Sequence, residues 1–180
     1  PEFPATHTDM AAVLQATPQR YRPPAVRSEM RSVWSAQALR GAGPVWSSRE
    51  NALYWVDTAG RQLHRFHPQH KLRDSWSFDE SIGAVAECVS RPGLLLALRH
   101  ELAVFEPDSG RLQRLHQAEP AQPANRLGDG RCDARGRFWV STRHATSQVP
   151  SGALYRYTGG SHCQRLQSGI GPSHGPAWSL

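Results

Sequence analysis

From residue 32 onward, short apolar runs alternate with turn residues. Ala52-Leu53-Tyr54-Trp55-Val56 is a short apolar and aromatic run. After the turn Thr58-Ala59-Gly60, the stretch Gln62-Leu63-His64-Arg65-Phe66-His67-Pro68 alternates apolar and polar positions. That period of two predicts half-buried strands. Pro92-Gly93 opens a second unit, with Leu94-Leu95-Leu96-Ala97-Leu98, then Leu102-Ala103-Val104-Phe105-Glu106-Pro107 and the turn Asp108-Ser109-Gly110. In the third, Asp133-Ala134-Arg135-Gly136 precedes Arg137-Phe138-Trp139-Val140-Ser141, and Gly152-Ala153-Leu154-Tyr155-Arg156-Tyr157 follows.

Trp55, Leu96 and Trp139 take matching places in these units, 41 and 43 residues apart. Such a spacing suits one blade of a β-propeller, a four-stranded antiparallel sheet covered on both faces by its neighbours. An ordinary β-sandwich is the competing architecture, and the repeated order of strands and turns favours the propeller. Gly43-Pro44-Val45-Trp46-Ser47 returns as Gly175-Pro176-Ala177-Trp178-Ser179. The chain therefore reads as all-β, with about three blades and the start of a fourth over residues 32–180. On this reading it is a portion of a larger ring. Its first and last sheets would leave apolar faces uncovered, which predicts self-association.

Residues 1–31 differ. They hold five of the fourteen prolines and read as a Pro-rich arm or linker, with one short helix expected over residues 8–14.

Composition adds limits. The 180 residues carry a formal charge of +6, and only Lys71 among the 21 basic residues is lysine. The arginines are scattered along the chain, without the clustered stripe that nucleic acid requires, so no nucleic-acid partner is expected. Mean hydropathy is −0.57 and no long apolar run occurs, which predicts no membrane span. PEFPATHTDM shows no signal-peptide pattern. Cys88, Cys132 and Cys163 are odd in number and lack a Cys-x-x-Cys spacing. They predict buried, reduced thiols and a cytoplasmic location.

Several segments together resemble the family of senescence marker protein, gluconolactonase and luciferin-regenerating enzyme, which are six-bladed propellers. They are Gly41-Ala42-Gly43-Pro44-Val45-Trp46, Asn51-Ala52-Leu53-Tyr54-Trp55-Val56-Asp57, Asn125-Arg126-Leu127-Gly128-Asp129-Gly130, Asp133 with Gly136-Arg137-Phe138-Trp139-Val140, Gly152-Ala153-Leu154-Tyr155-Arg156, and Ser173-His174-Gly175-Pro176-Ala177-Trp178-Ser179. The match covers about the first half of a family member.

The resemblance implies a divalent-metal-dependent hydrolase of sugar lactones or esters, with calcium or zinc as cofactor and a small lactone as partner. It also implies roles. Ala42 stands where the family has a metal-binding Glu. Gly128 stands at a substrate-pocket Asn, and His174 at a metal-binding Asn. Arg126 matches an arginine that hydrogen-bonds substrate oxygens; a structural pair with Asp129 or a backbone carbonyl is the other option. The family's general-base Asp is expected beyond Leu180. Ala and Gly offer no side-chain oxygen to a cation. The expected metal site is thus degraded, although Asp129 or Asp133 could be recruited beside His174.

No phosphate loop ending in Lys-Ser or Lys-Thr occurs. His64, His67 and His70 do not share a strand face and read as solvated surface. Asp129-Gly130, Asp133 and Gly136 read as turn residues, and Thr142 as a strand-end partner. Trp46, Trp55, Trp139 and Trp178 read as packing between blades. Two functions follow: a lactonase with a degraded metal site, or a non-catalytic propeller that binds a partner or small molecule.

Overall fold

The computed structural model describes residues 31–178. The predicted arm and helix therefore lie almost wholly outside the described residues. All twelve strands seen among the described residues belong to the compact unit Ala36–Leu180. They form three four-stranded antiparallel sheets, each a run of consecutive strands. Blade 1 comprises β1 (Gly41–Ser47), β2 (Ala52–Asp57), β3 (Gln62–His67) and β4 (Leu72–Ser77). Blade 2 comprises β5 (Ile82–Glu87), β6 (Leu94–Leu98), β7 (Glu101–Glu106) and β8 (Arg111–Gln117). Blade 3 comprises β9 (Asn125–Cys132), β10 (Phe138–His144), β11 (Gly152–Tyr157) and β12 (Cys163–Ile170). This is the expected partial propeller.

Burial follows blade position. Strand β6 is apolar without a break and buried throughout, because blade 2 is covered on both faces. Strand β2 alternates: Ala52, Tyr54 and Val56 are buried, while Leu53 and Trp55 are half-buried. One core lies between blades 1 and 2, where Tyr54, Val56 and Leu63 meet Ile82, Leu96, Leu98 and Phe105. The other lies between blades 2 and 3, where Leu95, Ala97, Leu102 and Val104 meet Leu127, Phe138, Val140 and Tyr155.

The tryptophans only partly meet the expected packing between blades. Trp46 is 47% exposed. It pairs directly with Leu53, so Trp46, Leu53 and Trp55 share the face of blade 1 turned away from blade 2. Trp139 also faces away from blade 2 and meets Trp178 edge-on, with ring centroids 5.1 Å apart. Leu96 instead packs between blades 1 and 2. On blade 3 the side turned to blade 2 is supplied by Phe138 and Val140. The match of Trp139 to Leu96 is thus one residue out of register, and a shift of one inverts the face.

The hairpins of blade 1 share one design. Asn51, Arg61 and Lys71, each the last residue of a four-residue loop, have φ of 49°, 56° and 55°. Left-handed backbone there falls on Arg61, not on Gly60. Gly60 is required for another reason: a Cβ there would overlap the Asp57 carboxylate, which accepts the Gly60 N–H at 2.9 Å.

The thiols are less buried than expected. Cys132 is exposed, and Cys88 and Cys163 are half-buried. Burial still pushes the Cys163 thiol up to about 11.

Candidate functional site at the inner-strand mouth

The first strand of each blade is its innermost. Strands β1, β5 and β9 each form one edge of their sheet and pack side by side, β1 on β5 and β5 on β9. Antiparallel pairing brings the starts of β1, β5 and β9 to the same end as the finishes of β2, β6 and β10: Gly41 opposes Asp57, Ile82 opposes Leu98, and Asn125 opposes His144. This shared end is the mouth.

Every inner strand bulges near the mouth. Register slips between Ala42 and Val45, between Ile82 and Ala84, and where β9 crosses the Val140–Thr142 step. The residues accommodated are Gly43-Pro44, Gly83 and Gly128-Asp129. A bulge turns side chains away from the regular alternation, which is how sheets re-aim groups at a site. At Gly83 the reason for glycine is packing. A Cβ there would lie 2.5 Å from Gly128 O and 2.7 Å from Leu127 O. Strand β5 therefore meets β9 backbone to backbone.

The residues singled out in the sequence separate into two groups. Ala42, Arg126, Gly128 and His174 come to the mouth. Ala42 is half-buried, and its methyl packs on the core between blades 1 and 2. Gly128 is buried, with room for a methyl group: a Cβ would find Ser141 O at 3.6 Å, Ser141 Oγ at 3.7 Å and Arg143 Nε at 3.9 Å, ordinary contact distances. His174 is exposed. Its neighbours fix its place, since Ser173 Oγ lies 2.9 Å from Ser141 Oγ and Gly175 sits against Asp129.

Arg126 lies on β9 directly opposite Arg143 of β10. It forms neither a hydrogen bond nor an ion pair with Asp129 among the described residues, so the structural pair with that residue is not formed. Its Nε is buried with no hydrogen-bond partner. Burial, and then the charges of Arg143, Arg40 and Arg99, pull its pKa below the ordinary guanidinium value. Arginine stays protonated regardless. Arg143, Arg40 and Arg99 were not apparent as site residues in the sequence. No local motif marks them; pairing between distant strands unites them.

Asp133 belongs to the other group. It follows β9 at the far end of the sheet. Its carboxylate accepts bonds from Arg135 N (2.9 Å), Arg137 N (3.0 Å), Arg137 Nε (2.6 Å) and Trp139 Nε1 (2.9 Å). Desolvation raises its pKa, but the bonds from Trp139 and Arg137 hold it well below the usual carboxylate range. It is a turn anchor, not a recruit for the mouth. Thr142 is a strand-end partner as expected: its Oγ1 accepts the Ala153 N–H at 2.8 Å.

The histidine trio also divides. His67 is half-buried and His70 exposed, but His64 is only 2% exposed. Its Nδ1 lies 2.8 Å from Ser75 Oγ, and its ring stacks on Trp55 at 5.1 Å. Solvated surface does not describe His64.

A family profile described as SMP-30/Gluconolactonase/LRE-like region matches residues 40–180. The chain belongs to this family. An L-arabinolactonase of Azospirillum brasilense is 34% identical over 128 residues, covering 70% of this chain and 42% of the relative. A solved luciferin-regenerating enzyme superposes with a TM-score of 0.68 at 26% identity, over 73% of this chain and 46% of that one. A calcium-binding protein, regucalcin, from Agrobacterium tumefaciens superposes with a TM-score of 0.67 at 23% identity, over 73% and 44% of the two chains. The chain spans about half the length of the curated relatives it matches. Among the described residues no three His, Cys, Asp or Glu side chains converge in a way that could hold a metal ion.

Proposed function

We propose that this chain recognises a sugar lactone, or the open acid that forms from it, at the inner-strand mouth, and that its described residues do not supply the cation seat of a metal-dependent lactonase. The observation that carries the first part is Arg126. It sits on the innermost strand of blade 3 with its Nε buried and unbonded. A buried donor without a partner is costly, and a ligand oxygen would satisfy it. The planar guanidinium offers parallel donors that match a carboxylate or adjacent carbonyl and hydroxyl oxygens. The pair Ser141 Oγ and Ser173 Oγ adds hydroxyls that can give or accept for a sugar.

The residues present do not fit a divalent cation. Ala42 and Gly128 bring no side-chain oxygen, His174 brings one imidazole, Asp129 brings one carboxylate, and Asp133 is committed elsewhere. Calcium takes six to eight oxygens, and a zinc site about four ligands. Lactone opening needs charge stabilisation at the carbonyl oxygen and a base for water. In this reading the described residues contribute orientation of the substrate through Arg126, not the base.

Hydrolysis and binding of aldonolactones by the full chain, with and without calcium, zinc and manganese, test the proposal. Binding of lactone or acid that weakens about tenfold in Arg126→Gln, without metal-dependent turnover, is the expected result. Robust metal-dependent turnover would refute the second part, and binding indifferent to Arg126 would refute the first.

A further inference from the structure

We infer that the mouth is an anion site, formed by Arg40, Arg99, Arg126 and Arg143, which takes an oxyanion group carried by a sugar acid or an acid-bearing sugar lactone. The four residues are far apart in the chain, yet each sits where a strand meets the mouth. Arg40 precedes β1, and Arg99 follows β6. Arg126 opens β9, and Arg143 nears the end of β10. Backbone bonds hold them there. The Leu127 N–H donates to Arg99 O at 2.8 Å, which fixes Arg99 beside the residue that follows Arg126. The Arg40 N–H donates to Asp57 Oδ1 at 2.8 Å. Gly128 leaves the space into which Arg143 Nε projects, 3.9 Å from a notional Cβ.

Among the described residues the ion pairs of the acids go to arginines other than these four. Four of the carboxylates at this end bond other groups. Asp57 accepts the N–H groups of Leu39, Arg40 and Gly60. Glu80 and Glu101 both pair with Arg114, at 3.1 Å and 2.6 Å, and Glu80 also accepts the Arg99 N–H at 3.1 Å. Glu119 accepts from Asn125 Nδ2 and Tyr155 OH. None of them offsets Arg126, on which three other arginines act. Like-charged guanidinium groups without an ion-pair partner repel one another, and an oxyanion relieves that repulsion while filling the vacant Nε of Arg126. The scatter of arginines along the sequence thus conceals a cluster in space.

The substrate part of this assignment rests on the lactone reading above; anion uptake itself does not. The test is calorimetric titration of the full chain with sodium sulfate and inorganic phosphate, then with gluconate against glucose. Folding of each variant is checked by circular dichroism. Saturable sulfate or phosphate uptake is expected, weakened about tenfold by Arg99→Gln or Arg143→Gln and untouched by Arg111→Gln at the far end. Gluconate is expected to bind and glucose not. Arg99 is exposed, so its variant stays informative even if Arg143→Gln fails to fold. No saturable uptake, or uptake indifferent to Arg99 and Arg143, overturns the site. Inorganic anion uptake with gluconate and lactone both ignored would leave a free-anion site and overturn the sugar-acid assignment alone.

Discussion

Replacing Gly83 by alanine should separate blades 2 and 3 at the mouth. The added Cβ would sit 2.5 Å from Gly128 O and 2.7 Å from Leu127 O, both rigid backbone oxygens of β9. Real Cβ contacts lie about 3.4 Å or farther from such atoms, so one strand must give by several tenths of an ångström. Forcing extra volume into close packing costs about 1–3 kcal/mol, and two backbone contacts place this case at the upper end, roughly 2–3 kcal/mol. Gly128→Ala is the matched control. It sits opposite the same interface, finds nothing closer than 3.6 Å, and has no positive φ. It should be neutral, or stabilise by about 0.4–1 kcal/mol through the unfolded chain. Urea unfolding read by tryptophan fluorescence measures both. Gly83→Ala should lower the urea midpoint at unchanged slope, and lower Tm by roughly 4–12 °C. Equal midpoints for the two variants would refute the close approach of β5 to β9.

Three further outcomes follow. Asp57→Ala should cost about 1–3 kcal/mol, because the N–H groups of Leu39, Arg40 and Gly60 lose their acceptor, as urea unfolding would show. Desolvation raises the Asp57 pKa, but those donors hold it below the usual carboxylate value. Its contribution is therefore full above about pH 4 and lost as pH falls through the depressed folded value, so the wild type should lose more stability on acidification than the alanine variant. His64 acts at higher pH. Burial lowers its pKa against the opposing charge of Asp57. The unfolded chain then binds the extra proton first, so the urea midpoint should fall as pH drops below about 6.5, a component absent in His64→Gln. Finally, the blade 1 face carrying Trp46, Leu53 and Trp55 should drive self-association. Sedimentation velocity should show concentration-dependent growth that Trp46→Ser weakens, and a wild type that stays monomeric throughout would contradict this.

The fold was legible in the sequence because its signals are local. Continuous apolar Leu94-Leu95-Leu96-Ala97-Leu98 marks a strand covered on both faces, and the turn residues near Asp57, Asp108 and Asp133 mark the hairpins. Facing was harder to read. Trp139 and Leu96 look equivalent by spacing, yet a one-residue offset turns them to opposite sides of their blades. His64 looked solvated because its neighbours in sequence are polar; it is buried because Trp55 and Ser75 enclose it from adjacent strands.

At the site, Arg126, Gly128 and His174 could be placed because they lie within recognisable segments. Arg40, Arg99 and Arg143 could not. Each is an isolated arginine at a strand end, and only the pairing of β9 with β10 and the packing of β1, β5 and β9 bring them together. Gly83 is silent for the same reason. Its constraint comes from a carbonyl 45 residues away in sequence, at Gly128.

Calcium titration of the metal-stripped full chain bears most directly on the central claim, that the mouth holds positive charge and no cation seat. No saturable heat of calcium uptake is predicted. Uptake of one ion per chain, lost in His174→Ala and reversed by a chelator, would contradict it.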